Sequence, residues 1–238
     1  MTRATTIARR ELTSYFYSPV AYVAMSLFLL AAGVFFWDDF APGQPAELRH
    51  VFDWMVWLLV FIVPVLGMGL LSQEWSTGTI EPLMTAPVQD GDVVVGKFLG
   101  SFAFLTVLIG PTLLYVLLLR IYAHPDLGPV LSGYLGIFLV AGLFVAITLF
   151  CSSLTRSQVV AAASAAAILF VITIVPYMVS GRATLGAFWK TAADQAVYKR
   201  YTDFSRGVIE SGNVVFFIAA TAVFLFLTTK VVESRRWK

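Results

Sequence analysis

Six stretches without a charged residue, each long enough to cross a bilayer, constrain this chain more than any other feature. They run from Leu12 to Trp37, Trp54 to Gln73, Phe98 to Leu119, Pro129 to Thr155, Val159 to Gly181 and Ser211 to Thr229. A helix needs about 20 apolar residues to span roughly 30 Å of hydrocarbon, and in lipid every backbone N–H and C=O must be paired within the segment. An all-α integral membrane protein with six transmembrane helices follows. The composition agrees: 59% of the residues are hydrophobic and only 13% charged, with a mean hydropathy of +0.83, where a soluble domain carries about 25% charged residues. The first stretch is too long for a secretory signal, and it ends in Val34, Phe35, Phe36 and Trp37 rather than at a small-residue cleavage site. It reads as a retained span.

Between these stretches the sequence gives shorter signals. Ile7, Ala8, Leu12, Tyr15 and Phe16 recur at helical spacing, with Arg3, Arg10, Thr13 and Ser14 mostly opposite them, which predicts an interfacial helix over residues 1–18. A solvated basic leader is the alternative. Ser18 can cap, and Pro19 can open, the first span. Pro64 predicts a kink in the second span and Gly110-Pro111 a bend in the third. The fifth span opens with Ala161, Ala162, Ala163, Ser164, Ala165, Ala166 and Ala167, small residues that let another helix approach closely. The long loop Arg182 to Glu210 interleaves Phe188, Trp189, Tyr198, Tyr201 and Phe204 with charges, which suits short interfacial helices before the sixth span.

Six spans put both termini on one side. Placing them inside leaves nine Lys/Arg on the inner segments (Arg3, Arg9, Arg10, Lys97, Arg156, Lys230, Arg235, Arg236 and Lys238) against seven outside. The terminal clusters flank spans directly, where the positive-inside bias counts most. The expected topology has cytoplasmic termini and a cytoplasmic loop between spans two and three.

Much chemistry is excluded. One cysteine, Cys151, forms no intramolecular disulfide, and His50 and His124 are too far apart in sequence to suggest a metal site. No cofactor is expected, and a formal charge of +2 does not suggest nucleic acid. No acid or base interrupts the uncharged stretches, so the relays that couple ion movement to conformation are missing. Gly91, Gly96 and Lys97 match part of a phosphate-binding loop. However, Phe98 stands where the magnesium-binding hydroxyl belongs, and Asp92, Val93, Val94 and Val95 fill the space of a flexible anion nest. Asp92 is read instead as the cap of the third span, with Gly96 and Gly100 as a helix-packing pair. If such a chain moves anything, its energy comes from a partner.

The polar segment Glu74 to Lys97 is where a partner can dock. Thr79 can cap a helix starting at Ile80, Pro82 fits its first turn, and Pro87 disfavours helix at Ala86. Asp90-Gly91 then turns the chain back. The pattern Glu74, Gly78, Thr79, Glu81, Leu83, Pro87, Val88, Gly96 and Lys97 resembles the cytoplasmic loop of ATP-binding-cassette exporter permeases of the second type. Arg10-Glu11-Leu12 through Tyr15, Ser18, Pro19 and Tyr22, with Phe204, Arg206, Gly207, Val208 and Ile209 and then Glu233-Ser234-Arg235-Arg236-Trp237, resembles the branch containing gliding-motility and nitrous-oxide-reductase-maturation permeases.

The resemblance implies one permease domain over residues 1–238. It consists of a connecting helix (1–18), spans at 19–37, 54–73, 93–120, 130–154, 158–181 and 212–230, a coupling loop (74–92) and an extracytoplasmic loop (182–211). It implies a subunit without catalysis of its own in a bacterial inner membrane. The partners implied are a separate cytoplasmic ATPase, a second permease copy, membrane lipids and, as a possibility, an extracytoplasmic accessory protein. Carried over by position, Glu74, Thr77, Gly78, Thr79, Glu81, Pro82 and Leu83, with Arg9, Arg10 and Glu11, are the candidate ATPase contacts. Two further readings stand beside this one: a scaffold relaying ATPase motion to an extracytoplasmic partner, and a membrane enzyme acting on lipid, for which no nucleophile and base can be assembled.

Overall fold

A computed structural model describes residues 3–40, 47–78, 89–122, 125–180 and 197–236. All regular structure among them is helical. In chain order the helices are α1 (Arg3–Tyr17), α2 (Pro19–Asp39), α3 (Arg49–Gly67), α4 (Ser72–Thr77), α5 (Asp90–Ile109), α6 (Leu113–Tyr122), α7 (Leu127–Leu154), α8 (Gln158–Ser180), α9 (Val197–Ser205) and α10 (Ser211–Arg236), with a 3-10 turn, Gly110–Thr112, joining α5 to α6. Six segments are long and apolar enough to cross a membrane: Pro19–Asp38, Arg49–Thr77, Asp90–Tyr122, Leu127–Leu154, Gln158–Pro176 and Ser211–Arg235.

α7 is the centre of the bundle. The most apolar part of its span is 78% buried, against 11% for the last span, because α3, α5, α8, α9 and α10 all pack on it. Small residues admit its neighbours: a Cβ on Gly133 would strike the Phe52 ring of α3, and one on Gly136 would lie 2.7 Å from Phe204 of α9. α2 closes on α3 with the Phe35 and Trp54 rings stacked 4.1 Å apart. Ala161 and Ala165 are buried while Ala163 and Ala167 face outward, so only one side of the alanine-rich turn meets protein. Leu30 on α2, Val171 on α8 and Phe226 on α10 are exposed, as suits faces turned to hydrocarbon.

α1, α4 and the last turns of α10 lie at one end of the bundle, here the near end. α9 and the first turns of α3 and α7 lie at the far end. There Ser132 donates to the Phe204 carbonyl at 2.7 Å, and Asn213 donates to Asp203 at 2.9 Å and accepts from Arg200 at 3.0 Å. These bonds seat α9 against α7 and α10.

Several local expectations change. Pro64 lies inside α3, and the helix ends one turn later at Gly67, so the second span is broken rather than only kinked. α5 begins at Asp90, with Gln89 in the N-cap position. Asp90-Gly91 is therefore helix, not turn, and Asp92 sits in the first turn instead of capping it. Both carboxylates then meet the positive end of the helix dipole. Ser18 has the extended backbone of an N-cap, but its hydroxyl makes no capping bond. The helix expected near Ile80 and the aromatic pair Phe188 and Trp189 lie outside the described residues.

Candidate functional site

The site begins where the second span breaks. α3 stops at Gly67, which presses so closely on α7 that a Cβ there would stand 2.5 Å from the Thr148 methyl. The chain turns over residues 68–71 and resumes as α4. Broken backbone at membrane depth must be paired by neighbouring groups, and here one hydroxyl from α7 does much of it, alongside the Ser72 hydroxyl, which also donates to the Met68 carbonyl. Ser152 of α7 accepts from the Leu71 and Ser72 amides, both at 3.0 Å, and donates to the Met68 carbonyl at 3.0 Å. That uses its one donor and both acceptor sites. α4 then ends at Gly78, whose φ of 72° is the left-handed conformation that terminates helices.

α4 carries Glu74 into an ion network. Lys97 of α5 is only 2% exposed, and its Nζ lies 2.9 Å from Glu74 Oε1 and 3.3 Å from Glu11 Oε2 of α1. Arg10 reaches the same Glu74 oxygen at 3.3 Å. Two cations and two carboxylates from three helices thus neutralise one another, with Lys97 and its two carboxylates largely sheltered from water and Arg10 on the exposed rim. Removing one partner from such a group leaves an uncompensated buried charge.

α1 can reach this place because α5 is smooth beneath it. A Cβ on Gly96 would lie 2.7 Å from the Ile7 Cβ and 2.9 Å from the Ala4 carbonyl, and one on Gly100 would lie 2.7 Å from the Glu11 Cβ. Tyr15 completes the seat, stacking on Phe104 at 4.6 Å, with its hydroxyl 3.1 Å from the Ser101 hydroxyl and donating to the Leu66 carbonyl at 3.3 Å. Burial raises the Tyr15 phenol pKa. With residues 91–97 in a regular helix under α1, no loop is left to wrap a phosphate.

α4 is also held from the last helix. Arg235 of α10 stacks on the Trp75 ring at 4.9 Å and donates to the Leu154 carbonyl at the end of α7 at 2.6 Å. Trp75 itself packs beside a small apolar cluster of Leu70, Leu71, Val94, Leu149 and Val232. Beside α4, an open groove of about 560 Å³ separates the α1–α2 corner from the α3–α4 break, with Gln73 and Gln158 on its wall.

Of the candidate residues, Glu74, Arg10 and Glu11 meet in the network. Arg9 is exposed on α1, and Thr77 bonds back to the Gln73 carbonyl at 2.9 Å. Thr79, Glu81, Pro82 and Leu83 lie outside the described residues. Sequence reasoning missed the counter-ion role of Lys97, the Ser152 clamp and the Arg235–Trp75 contact. One signal was present: Glu11, Glu74 and Lys97 each stand at the edge of an uncharged stretch, and two of the three edges carry a sign opposite to the third.

Compared with curated proteins, the chain matches none at a significant level. A sequence model of the family described as "ABC-2 family transporter protein" matches residues 11–236, which takes in all six spans, α4 and most of the ion network. The chain therefore belongs to the ABC-2 transporter family, as a multi-pass permease of a typically non-catalytic kind whose membership implies an ABC ATPase partner.

Proposed function

We propose that the chain is the permease subunit of an ATP-binding-cassette exporter in a bacterial inner membrane. It pairs with a second copy and converts ATP hydrolysis by a separate cytoplasmic ATPase into movement of a substrate. The near end faces the cytoplasm, the loop 74–92 seats on the ATPase, and α1 is the connecting helix. The observation that carries this reading is Lys97, buried in a span yet paired with both Glu74 and Glu11. Glu74 is the first residue of the loop expected to dock, so a force on that loop reaches α1 and α5 through charged contacts rather than through slack chain.

Such a joint resists sliding because Glu74 and Lys97 are each fixed by two partners, and it releases only when the buried Lys97 is separated from its carboxylates. The test is coupling. With the ATPase co-expressed, Glu81→Lys should abolish the permease-dependent stimulation of ATP hydrolysis and the ATP-driven uptake of substrate into inverted vesicles, while the chain still inserts. Normal stimulation in that variant would remove the docking role from the loop. Hydrolysis that is stimulated in the unmodified complex without uptake of any compound would remove transport from the proposal.

A further inference from the structure

At the far end, an open hollow of about 200 Å³ lies between the chain entering α3, the start of α7 and the end of α9. Its wall carries two cations, Arg49 and Arg206, and two carboxylates, Glu47 and Asp126, beside the buried side chains of Leu48, Phe52 and Val130. Among the described residues none of these four charges forms an ion pair; the pairs present join Arg10, Lys97, Glu11 and Glu74, or Lys230 and Glu233. One Asp126 oxygen accepts the Gly128 amide at 3.0 Å as the cap of α7. Arg49 and Arg206 both lie within electrostatic reach of the half-buried Asp53, but neither forms an ion pair with it among the described residues.

Two charges of each sign that share a hollow without pairing are complementary to a ligand bearing both signs. Arginine favours phosphate, whose oxygens match its planar fork of donors, and carboxylates favour an ammonium group. The volume is about seven waters' worth and below the usual range for a drug-sized ligand, about 300–1,000 Å³, so it suits a headgroup and not a whole lipid. Depth agrees. Leu127 and Leu131 are exposed on the first turns of α7, and Trp54 and Tyr122 are exposed at the same end, as at the border between hydrocarbon and headgroups.

We propose that this hollow binds a phosphoethanolamine-type zwitterion, the headgroup of a phospholipid in the far leaflet, with phosphate against Arg49 and Arg206 and the ammonium between Glu47 and Asp126. Acyl chains would then run down the exposed leucines of α7, which favours the lipid over a soluble zwitterion of the same chemistry.

Native mass spectrometry of the full-length protein, released from micelles holding equal amounts of dioleoyl phosphatidylethanolamine and dioleoyl phosphatidylglycerol, tests this directly. The unmodified protein should retain the ethanolamine lipid preferentially. Arg49→Gln with Arg206→Gln should lower that retention about tenfold, as expected for losing charge-assisted hydrogen bonds. Glu47→Gln with Asp126→Asn keeps a good helix cap and should invert the preference towards phosphatidylglycerol, a gain that misfolding cannot imitate. Equal retention of the two lipids by the unmodified protein, or unchanged retention in the arginine variant, would overturn the site. Displacement of the lipid by an equal concentration of glycerophosphoethanolamine would overturn the lipid as its source.

Discussion

Lys97 shows how much a single residue can carry when it is buried among charges. Replacing it with methionine keeps the volume but leaves Glu74 and Glu11 facing each other without their shared cation, at a cost of about 3–5 kcal/mol. The apparent Tm of Lys97→Met in detergent should fall by several degrees, and adding Glu74→Gln should recover a large part of the loss. No recovery would mean that the lysine acts by packing alone. Two buried tyrosines make a second, contrasting pair. The Tyr15 hydroxyl bonds to Ser101 and to the Leu66 carbonyl, whereas the fully buried Tyr201 hydroxyl has no partner among the described residues. Desolvation, with the nearby Asp53 charge second, holds the Tyr201 phenol well above its usual pKa. Tyr15→Phe should therefore destabilise by ~1 kcal/mol, and Tyr201→Phe should be neutral or slightly stabilising, because an unpaired buried hydroxyl is itself a penalty. Thermal unfolding of both variants side by side checks the difference.

At the scale of elements, the contact between α1 and α5 depends on two glycines with no room for a side chain. Gly96→Ala must push α1 outward against the Ala4 carbonyl, which cannot give as a flexible side chain would; overpacking of this kind costs ~1–3 kcal/mol. Gly91→Ala is the control, since nothing lies within 4 Å of its added carbon. We expect Gly96→Ala to lower both the Tm and the stimulation of the partner ATPase, and Gly91→Ala to leave both at or above the unmodified value. The sequence offered Gly96 and Gly100 as a packing pair because small residues spaced by four share a helix face. It could not say that the partner helix would be α1, since nothing in glycine encodes what covers it. The break between α3 and α4 was hidden for a related reason. Pro64 signals strain, but the hydroxyl that accepts the freed amides comes from Ser152, about eighty residues away in the chain. By contrast, the start of α2 was legible because Pro19 and the extended backbone at Ser18 are local events.

For the whole molecule, the six spans could be read directly from the sequence because hydrocarbon thickness fixes their length. Their arrangement could not, because lipid and neighbouring helices are equally apolar and the spans of α7 and α10 read alike, yet one is the core and the other the rim. That arrangement puts two consecutive residues of α4 under the control of opposite ends of the chain. Glu74 is held by α1 and α5 through Arg10 and Lys97, and Trp75 is held by α10 and α7 through Arg235. If α4 moves as part of one rigid block, cutting either tie frees it, and cutting the second adds little. Glu74→Gln and Arg235→Gln should then each reduce permease-dependent stimulation of ATP hydrolysis, and the double variant should fall well short of the product of the two losses. Residues in one interacting unit show this non-additivity, whereas distant independent contacts multiply. A double variant whose loss equals that product would mean that α1 and α10 act on α4 separately, and that the near end of the bundle is two joints rather than one.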